Sequence, residues 1–264
     1  MMPNGYLEDA AGSLYYEVMG TGDPAVLIHG FSLDHRTWRK QVRGLRPDFR
    51  VVTYDCRGFG RSSCPTGPYS HHEDLRRLLA HLGIDSAHLV GVSMGGRIAL
   101  NYALRWPGSV RSLALIGTDV GGHRHRIDWD VDVEMLGLAG ARAAWLAHEL
   151  FDTVRAHRAG WAAVRAMVRD YSGWHWSHAD IRVPSDTGAV ERLHEVRART
   201  SVIVGELDLP DFHEIARVLQ TRIRRARPVV VPGVGHLVNL EAPETCTELL
   251  WRHFMGVSRS TTRG

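Results

Sequence analysis

The stretch Leu89-Val90-Gly91-Val92-Ser93-Met94-Gly95-Gly96-Arg97 runs an apolar, β-branched segment into a Gly-x-Ser-x-Gly turn and then into a helical pattern. With 27 glycines in 264 residues, the bare five-residue pattern is weak. Its context makes it strong. A strand that turns directly into a helix forces the central residue into a strained backbone conformation and needs small residues on either side for the chain to pass. The result is a hydroxyl, that of Ser93, presented at the carboxyl end of the strand. The helix that follows aims its free N–H groups and positive dipole end at any charge developing beside that hydroxyl.

Outward from this turn the same alternation repeats. Short apolar runs at Ala25 to Ile28, Val51 to Tyr54, Leu113 to Ile116, Val202 to Val204 and Val229 to Val231 have the composition of buried parallel strands. Segments of helical period lie between most of them, including Glu73 to Leu82 and Arg97 to Leu104, and another follows at Glu244 to Phe254. At the start of the chain, Gly5 to Leu7 and Ser13 to Val18 flank an Asp9-Ala10-Ala11-Gly12 turn and predict a hairpin. The expected fold is therefore α/β: a doubly wound, mostly parallel sheet of eight strands with helices on both faces. The alternation breaks once, after the sixth strand, where five of the eight tryptophans fall (Trp129, Trp145, Trp161, Trp174 and Trp176). This predicts a core of residues 1–121 and 186–264 and a helical cap at 122–185 that buries aromatic rings against an opening.

Composition narrows the classes of partner. The chain is 44% hydrophobic and 23% charged, with a net charge of +3, as expected of an ordinary globular domain. All but Lys40 of its 32 basic residues are arginines, dispersed among 29 acidic residues, so no nucleic-acid surface is expected. Cys56, Cys64 and Cys246 form an odd set without metal-ligand spacing, as a reducing compartment tolerates. Residues 1–11 lack a basic segment followed by an apolar one, and no apolar run of about 18 residues occurs. A cytoplasmic protein without membrane contact, monomeric or homodimeric, is expected.

A serine hydroxyl is a poor nucleophile until a base takes its proton and a carboxylate holds that base in the correct tautomer. His236 is the candidate base: Val231-Pro232-Gly233-Val234-Gly235-His236 places it in a glycine-rich loop after the last strand, at the sheet edge that also carries Ser93. Val202-Ile203-Val204-Gly205-Glu206-Leu207-Asp208 delivers two carboxylates to the same edge. Asp208 is the candidate acid, with Glu206 read as a backbone or capping partner and Asp119 as the alternative. The order Ser, Asp, His follows. The backbone N–H of Met94 and that of Phe31, in the loop His29-Gly30-Phe31, are the candidate oxyanion donors, and His29 reads as structural.

These stretches, with Tyr54-Asp55-Cys56-Arg57-Gly58-Phe59-Gly60-Arg61-Ser62 and Gly235-His236-Leu237-Val238-Asn239-Leu240-Glu241, resemble the α/β-hydrolase fold superfamily over essentially the whole chain. Tyr54 to Ser62, Thr66-Gly67-Pro68-Tyr69 and His236 to Glu241 are similar to the 3-oxoadipate enol-lactonase branch and its carboxylesterase neighbours. The resemblance implies a cofactor-free serine hydrolase acting on a small ester or lactone. Ser93 stands where epoxide hydrolases and haloalkane dehalogenases carry Asp, which disfavours their chemistry. A Trp shortly after the catalytic His, frequent in carbon–carbon bond hydrolases, is missing. Thioesterase, carbon–carbon hydrolase and acyltransferase or cyclase activities would use the same residues. A receptor-like binding protein with slow residual hydrolysis is the alternative from another class.

The tryptophans predict a substrate with an apolar or aromatic portion. Trp174, His175, Trp176 and Leu237 are the candidate substrate contacts. His123 with His125, and His175 with His178, have spacings that a metal could use, but no acid or cysteine completes either set in sequence. They are expected to be solvated or pocket-lining, with no metal. Asp55 to Ser62 reads as a structural loop because no Lys follows to make it a phosphate cradle. Trp38 reads as core.

Overall fold

The computed structural model describes residues 4–127, 129–179, 181–183 and 188–261, with side chains as far as 256. A hairpin of β1 (Asn4–Asp9) and β2 (Gly12–Met19) leads into β3 (Asp23–Ile28), α1 (Arg39–Leu45), β4 (Phe49–Tyr54) and α2 (His71–His81). Then come β5 (Ala87–Val92), α3 (Met94–Arg105) and β6 (Val110–Ile116). Helices α4 (Val133–Ala147), α5 (Arg158–Asp170) and α6 (Trp174–Ser177) follow before β7 (Arg199–Gly205). The chain ends through α7 (Pro210–Arg222), β8 (Ala226–Val231), α8 (Val238–Glu241) and α9 (Pro243–Thr261).

The eight strands form one sheet in the order β1-β2-β4-β3-β5-β6-β7-β8. Pairings β1–β2 and β2–β4 are antiparallel and the other five are parallel. The expected strands all occur, each extended by two to four residues. Apolar runs mark only the buried middle of a strand, whereas ladder hydrogen bonds continue into polar ends such as Asp23 opposite Phe49. Every residue of β5 is buried, as a central parallel strand covered on both faces requires.

Parallel register brings the carboxyl ends of the strands to one edge. Ile28 pairs with Gly91, Val92 with Ile116, Ile116 with Ile203 and Gly205 with Val231. The loops bearing Phe31, Ser93, Asp119, Asp208 and His236 therefore leave the sheet side by side. Among its described residues, the stretch between β6 and β7 contains three α-helices and three short 3-10 helices and no strand beyond a single bridge from Arg182 to Tyr69. The boundary expected at 185/186 lies outside the described residues.

The Asp55 to Ser62 loop is structural, as its sequence suggested. Asp55 accepts from the N–H and Nδ1 of His35 (2.7 and 2.8 Å) and from the N–H of Arg61 (2.8 Å). Arg57, wholly buried, donates to both oxygens of Asp74 (2.9 and 3.0 Å) and to Asp9 (2.8 Å). Trp38 is core, and all three cysteines are free thiols. No helix among the described residues is long and apolar enough to cross a membrane.

Two histidines of the core predict acid sensitivity. Burial, reinforced by Arg111, lowers His88 to about 4, and burial with Arg199 lowers His253 to about 3. Both rings are neutral in the fold, whereas the unfolded chain binds protons on them from the ordinary value of 6.5 downward. The unfolded state thus gains protons first, and stability falls as pH drops from 6.5 towards 4, by at most about 1.4 kcal/mol per pH unit per group. Urea midpoints measured across this range should decline. Replacing His88 by Phe, which keeps the stacking on Phe254 at 4.6 Å, should flatten the decline.

Candidate active site

Ser93 ends β5 and begins α3 with φ 53° and ψ −120°, one of two non-glycine residues with positive φ among those described. Such a conformation costs on the order of 1–3 kcal/mol and persists only where the surroundings enforce it. Here the neighbours do. A Cβ on Gly91 would lie 2.1 Å from the Gly95 carbonyl oxygen, and one on Gly95 would lie 2.2 Å from that of Ile28. The Ser93 N–H donates to the Ile116 carbonyl (2.9 Å), tying the turn to the next strand.

His236 and Asp208 meet as the sequence predicted. The His236 ring places Nδ1 at 3.1 and 3.2 Å from the two Asp208 oxygens, and both side chains are buried. A carboxylate only accepts, so Nδ1 carries the hydrogen and Nε2 keeps a lone pair. Nε2 is buried and has no hydrogen-bond partner among the described residues. Asp208 also accepts from the N–H of Leu209 (2.8 Å). The other acids are otherwise engaged. Glu206 accepts from the N–H of Gly233 (2.8 Å), the backbone role read for it. Asp119 holds Arg97 (2.8 Å) and His125 (2.8 Å). Burial opposes the Asp119 charge, but the His125 hydrogen bond and Arg97 outweigh it and lower the carboxyl below its usual range.

Ser93, Met94, Phe31 and His236 line one cavity of about 530 Å³, and Gly30 approaches so closely that a Cβ there would sit 3.4 Å from the Ser93 Cβ. Among the described residues, the N–H groups of Phe31 and Met94 donate to no other protein group. His29 is structural, as expected: its Nε2 accepts from the Cys56 N–H (2.9 Å) and its Nδ1 lies 2.8 Å from the Gly30 carbonyl. Burial depresses its pKa.

All four expected substrate contacts, Trp174, His175, Trp176 and Leu237, line the cavity. Of the five clustered tryptophans, Trp129 and Trp145 join them, whereas Trp161 packs against Phe151 and beneath Arg155 instead. The Trp145 indole N–H donates to Ser32 (2.6 Å), and the ring meets Phe31 edge-on at 5.6 Å, so this aromatic wall is fastened to the loop carrying one candidate oxyanion donor. His175 stacks on Phe59 at 4.4 Å and sits between the hydroxyls of Tyr171 and Tyr69.

Three features escaped the sequence. Glu241 accepts from the N–H groups of Gly235 (2.9 Å) and Leu237 (3.0 Å), bracketing His236; its position in the quoted motif was visible, its role was not. His71, buried in the cavity wall, has neither ring nitrogen bonded among the described residues. Its pKa is driven down by burial and by Arg182 and His175. Thirdly, His123 and His125 do have an acidic companion, Asp211, whose ligand atom lies within 4.8 Å of theirs. Both histidines line the cavity, as expected of them, and the acid beside them comes from α7, remote in sequence and brought near by the folding of the sheet.

Comparison with known proteins gives concordant findings. A family model described as the alpha/beta hydrolase fold matches residues 23–243. A protein of Synechocystis sp. provisionally named a non-heme chloroperoxidase is 30% identical, over 93% of this chain and 96% of its own length. The 3-oxoadipate enol-lactonase 1 of Acinetobacter baylyi is 28% identical over 88% of this chain and 89% of its own. Among solved structures, a thermophilic esterase of Thermogutta terrifontis superposes with a TM-score of 0.82 at 25% identity, covering 96% of this chain and 98% of that one.

The partnerships of the carboxylates separate their roles. Asp208→Asn should lower turnover of an activated ester by about 10⁴-fold by upsetting the His236 tautomer. Asp119→Asn should cost no more than roughly tenfold, because it leaves that pair intact. Steady-state kinetics on both variants checks the contrast.

Proposed function

The chain belongs to the α/β-hydrolase fold family, and from that premise we propose that it is a serine hydrolase cleaving small carboxylic esters or lactones through an acyl-enzyme. The observation that carries the reading is the buried His236–Asp208 pair, whose outer nitrogen has no protein partner, in the cavity that Ser93 lines. The enol-lactonase and esterase names of relatives and structural neighbours are consistent with ester and lactone substrates.

In this mechanism the Ser93 hydroxyl gives its proton to His236 Nε2 as Oγ attacks the substrate carbonyl. Asp208 stabilises the imidazolium and fixes its orientation. The carbonyl oxygen becomes an oxyanion, and the N–H groups of Phe31 and Met94 donate to it; Met94 adds the positive end of the α3 dipole. His236 returns the proton to the leaving oxygen, which departs as an alcohol or, from a lactone, stays tethered. Water then attacks the acyl-enzyme with His236 again as base, and the acid is released. No cofactor enters any step.

The stretch 122–185 acts in this reading as a cap over the site. Its support is that Trp129, Trp145, Trp174 and Trp176 close one side of the cavity with apolar rings. That wall favours an acyl or alcohol portion that is apolar or aromatic.

Wild type assayed on a panel of nitrophenyl esters and small lactones should show multiple turnovers, and Ser93→Ala should lose about 10⁴- to 10⁶-fold in kcat. Sustained turnover by Ser93→Ala would remove the serine mechanism. Ligand-dependent tryptophan fluorescence without turnover in wild type would favour a binding protein.

A further inference from the structure

Beyond the hydrolytic centre, we infer that His123, His125 and Asp211 form a binding site for a divalent first-row metal ion, zinc foremost, in the wall of the catalytic cavity. One ligand atom from each of the three lies within 4.8 Å of the others. Two of these are orphans: His123 Nε2 and His125 Nδ1 are buried atoms without hydrogen-bond partners among the described residues. Two unpaired imidazole nitrogens converging on one carboxylate are a costly arrangement unless something electrophilic occupies the space between them.

The outer contacts strengthen the assignment. His125 Nε2 lies 2.8 Å from Asp119 Oδ1 and donates there; in the neutral ring the lone pair is then on Nδ1, 3.6 Å from Asp211 Oδ2, and because Asp119 and Asp211 raise the pKa of this imidazole a metal competes with a proton for that nitrogen. A carboxylate behind the distal nitrogen of a ligating histidine fixes its tautomer and raises its basicity, as in carboxylate–histidine–zinc arrangements. Asp211 is itself held in place, accepting from the Arg126 backbone N–H (2.6 Å) and side chain (3.0 Å). The two imidazoles and one carboxylate are the donor set of zinc sites with an open fourth position. Tetrahedral ligands at about 2.1 Å from a metal are about 3.4 Å apart, against a separation here of up to 4.8 Å.

The other triad of potential ligands, Asp34, His35 and Asp55, lacks this character. His35 Nδ1 donates to Asp55 and its Nε2 faces Glu17 at 3.3 Å, so this set offers no unpaired ring nitrogen. His123 and His125 line the cavity with Ser93, so a metal there would brace the stretch after β6 against α7 and turn its open position toward the substrate space. This assignment does not depend on the hydrolase reading.

The test is calorimetric titration of chelator-treated, full-length protein with Zn²⁺ above neutral pH, where the imidazoles are unprotonated. Co²⁺ is the parallel probe, through its visible absorption. One equivalent should bind, with affinity falling at least tenfold in His123→Ala and in Asp211→Asn. His194→Ala, at an exposed residue outside the set, controls for surface histidines, and His236→Ala controls for zinc captured by the candidate catalytic imidazole. Retained binding in both controls is expected. Absence of binding, or binding weakened only by His194→Ala or His236→Ala, or equally tight in His123→Ala and Asp211→Asn, overturns the site. Because metal binding is read without turnover, an inactive but zinc-binding protein would count against the hydrolase reading alone.

Discussion

The close approach of three backbones at the end of β5 is the constraint on which the site rests. Gly91 meets the Gly95 carbonyl, Gly95 meets that of Ile28, and Ser93 is left with a positive φ between them. No side chain fits at either glycine without moving main chain. That compression turns the strand into α3 within one residue, so the Ser93 hydroxyl and the Met94 N–H project from the same corner. The strain is held by the sheet itself, through the hydrogen bond from Ser93 to Ile116 on β6.

Around this corner the sheet edge supplies chemistry and the inserted helices supply a wall. Parallel register fixes how far each strand runs, which is why Asp208 and His236, 28 residues apart, meet at hydrogen-bonding distance. Glu241 then secures the amides on both sides of His236, so the candidate base is positioned by backbone as well as by Asp208. The opposite wall is aromatic: Phe31 touches Phe59, Trp145, Tyr171 and His175 edge-on. The ring nearest the candidate oxyanion loop is thereby coupled to α4 and to the α5–α6 junction. A substrate that displaces those rings would shift the loop.

The features set by local chemistry were legible in the sequence. Strand positions followed from β-branched runs, the elbow from its glycines, and the pairing of His236 with Asp208 rather than Glu206 from their order along the edge. What was not legible depends on long-range register. Nothing in the local sequence brings Asp211 of α7 beside His123 and His125, because the contact spans 86 to 88 residues and is set by the β6–β7–β8 arrangement. His71 was unreadable for a similar reason: Arg182 and His175, which act on its ring, come from a distant segment, and Arg182 bridges to Tyr69 beside it. The role of Glu241 was hidden because a carboxylate bonding to backbone leaves no mark on composition.

Ser93 as an activated nucleophile is the central claim, and intact-mass analysis after fluorophosphonate treatment tests it without any knowledge of the substrate. Wild type should gain one adduct at sub-stoichiometric and excess probe alike, and Ser93→Ala should gain none. Absence of an adduct on wild type, or an equal adduct on Ser93→Ala, would contradict the account.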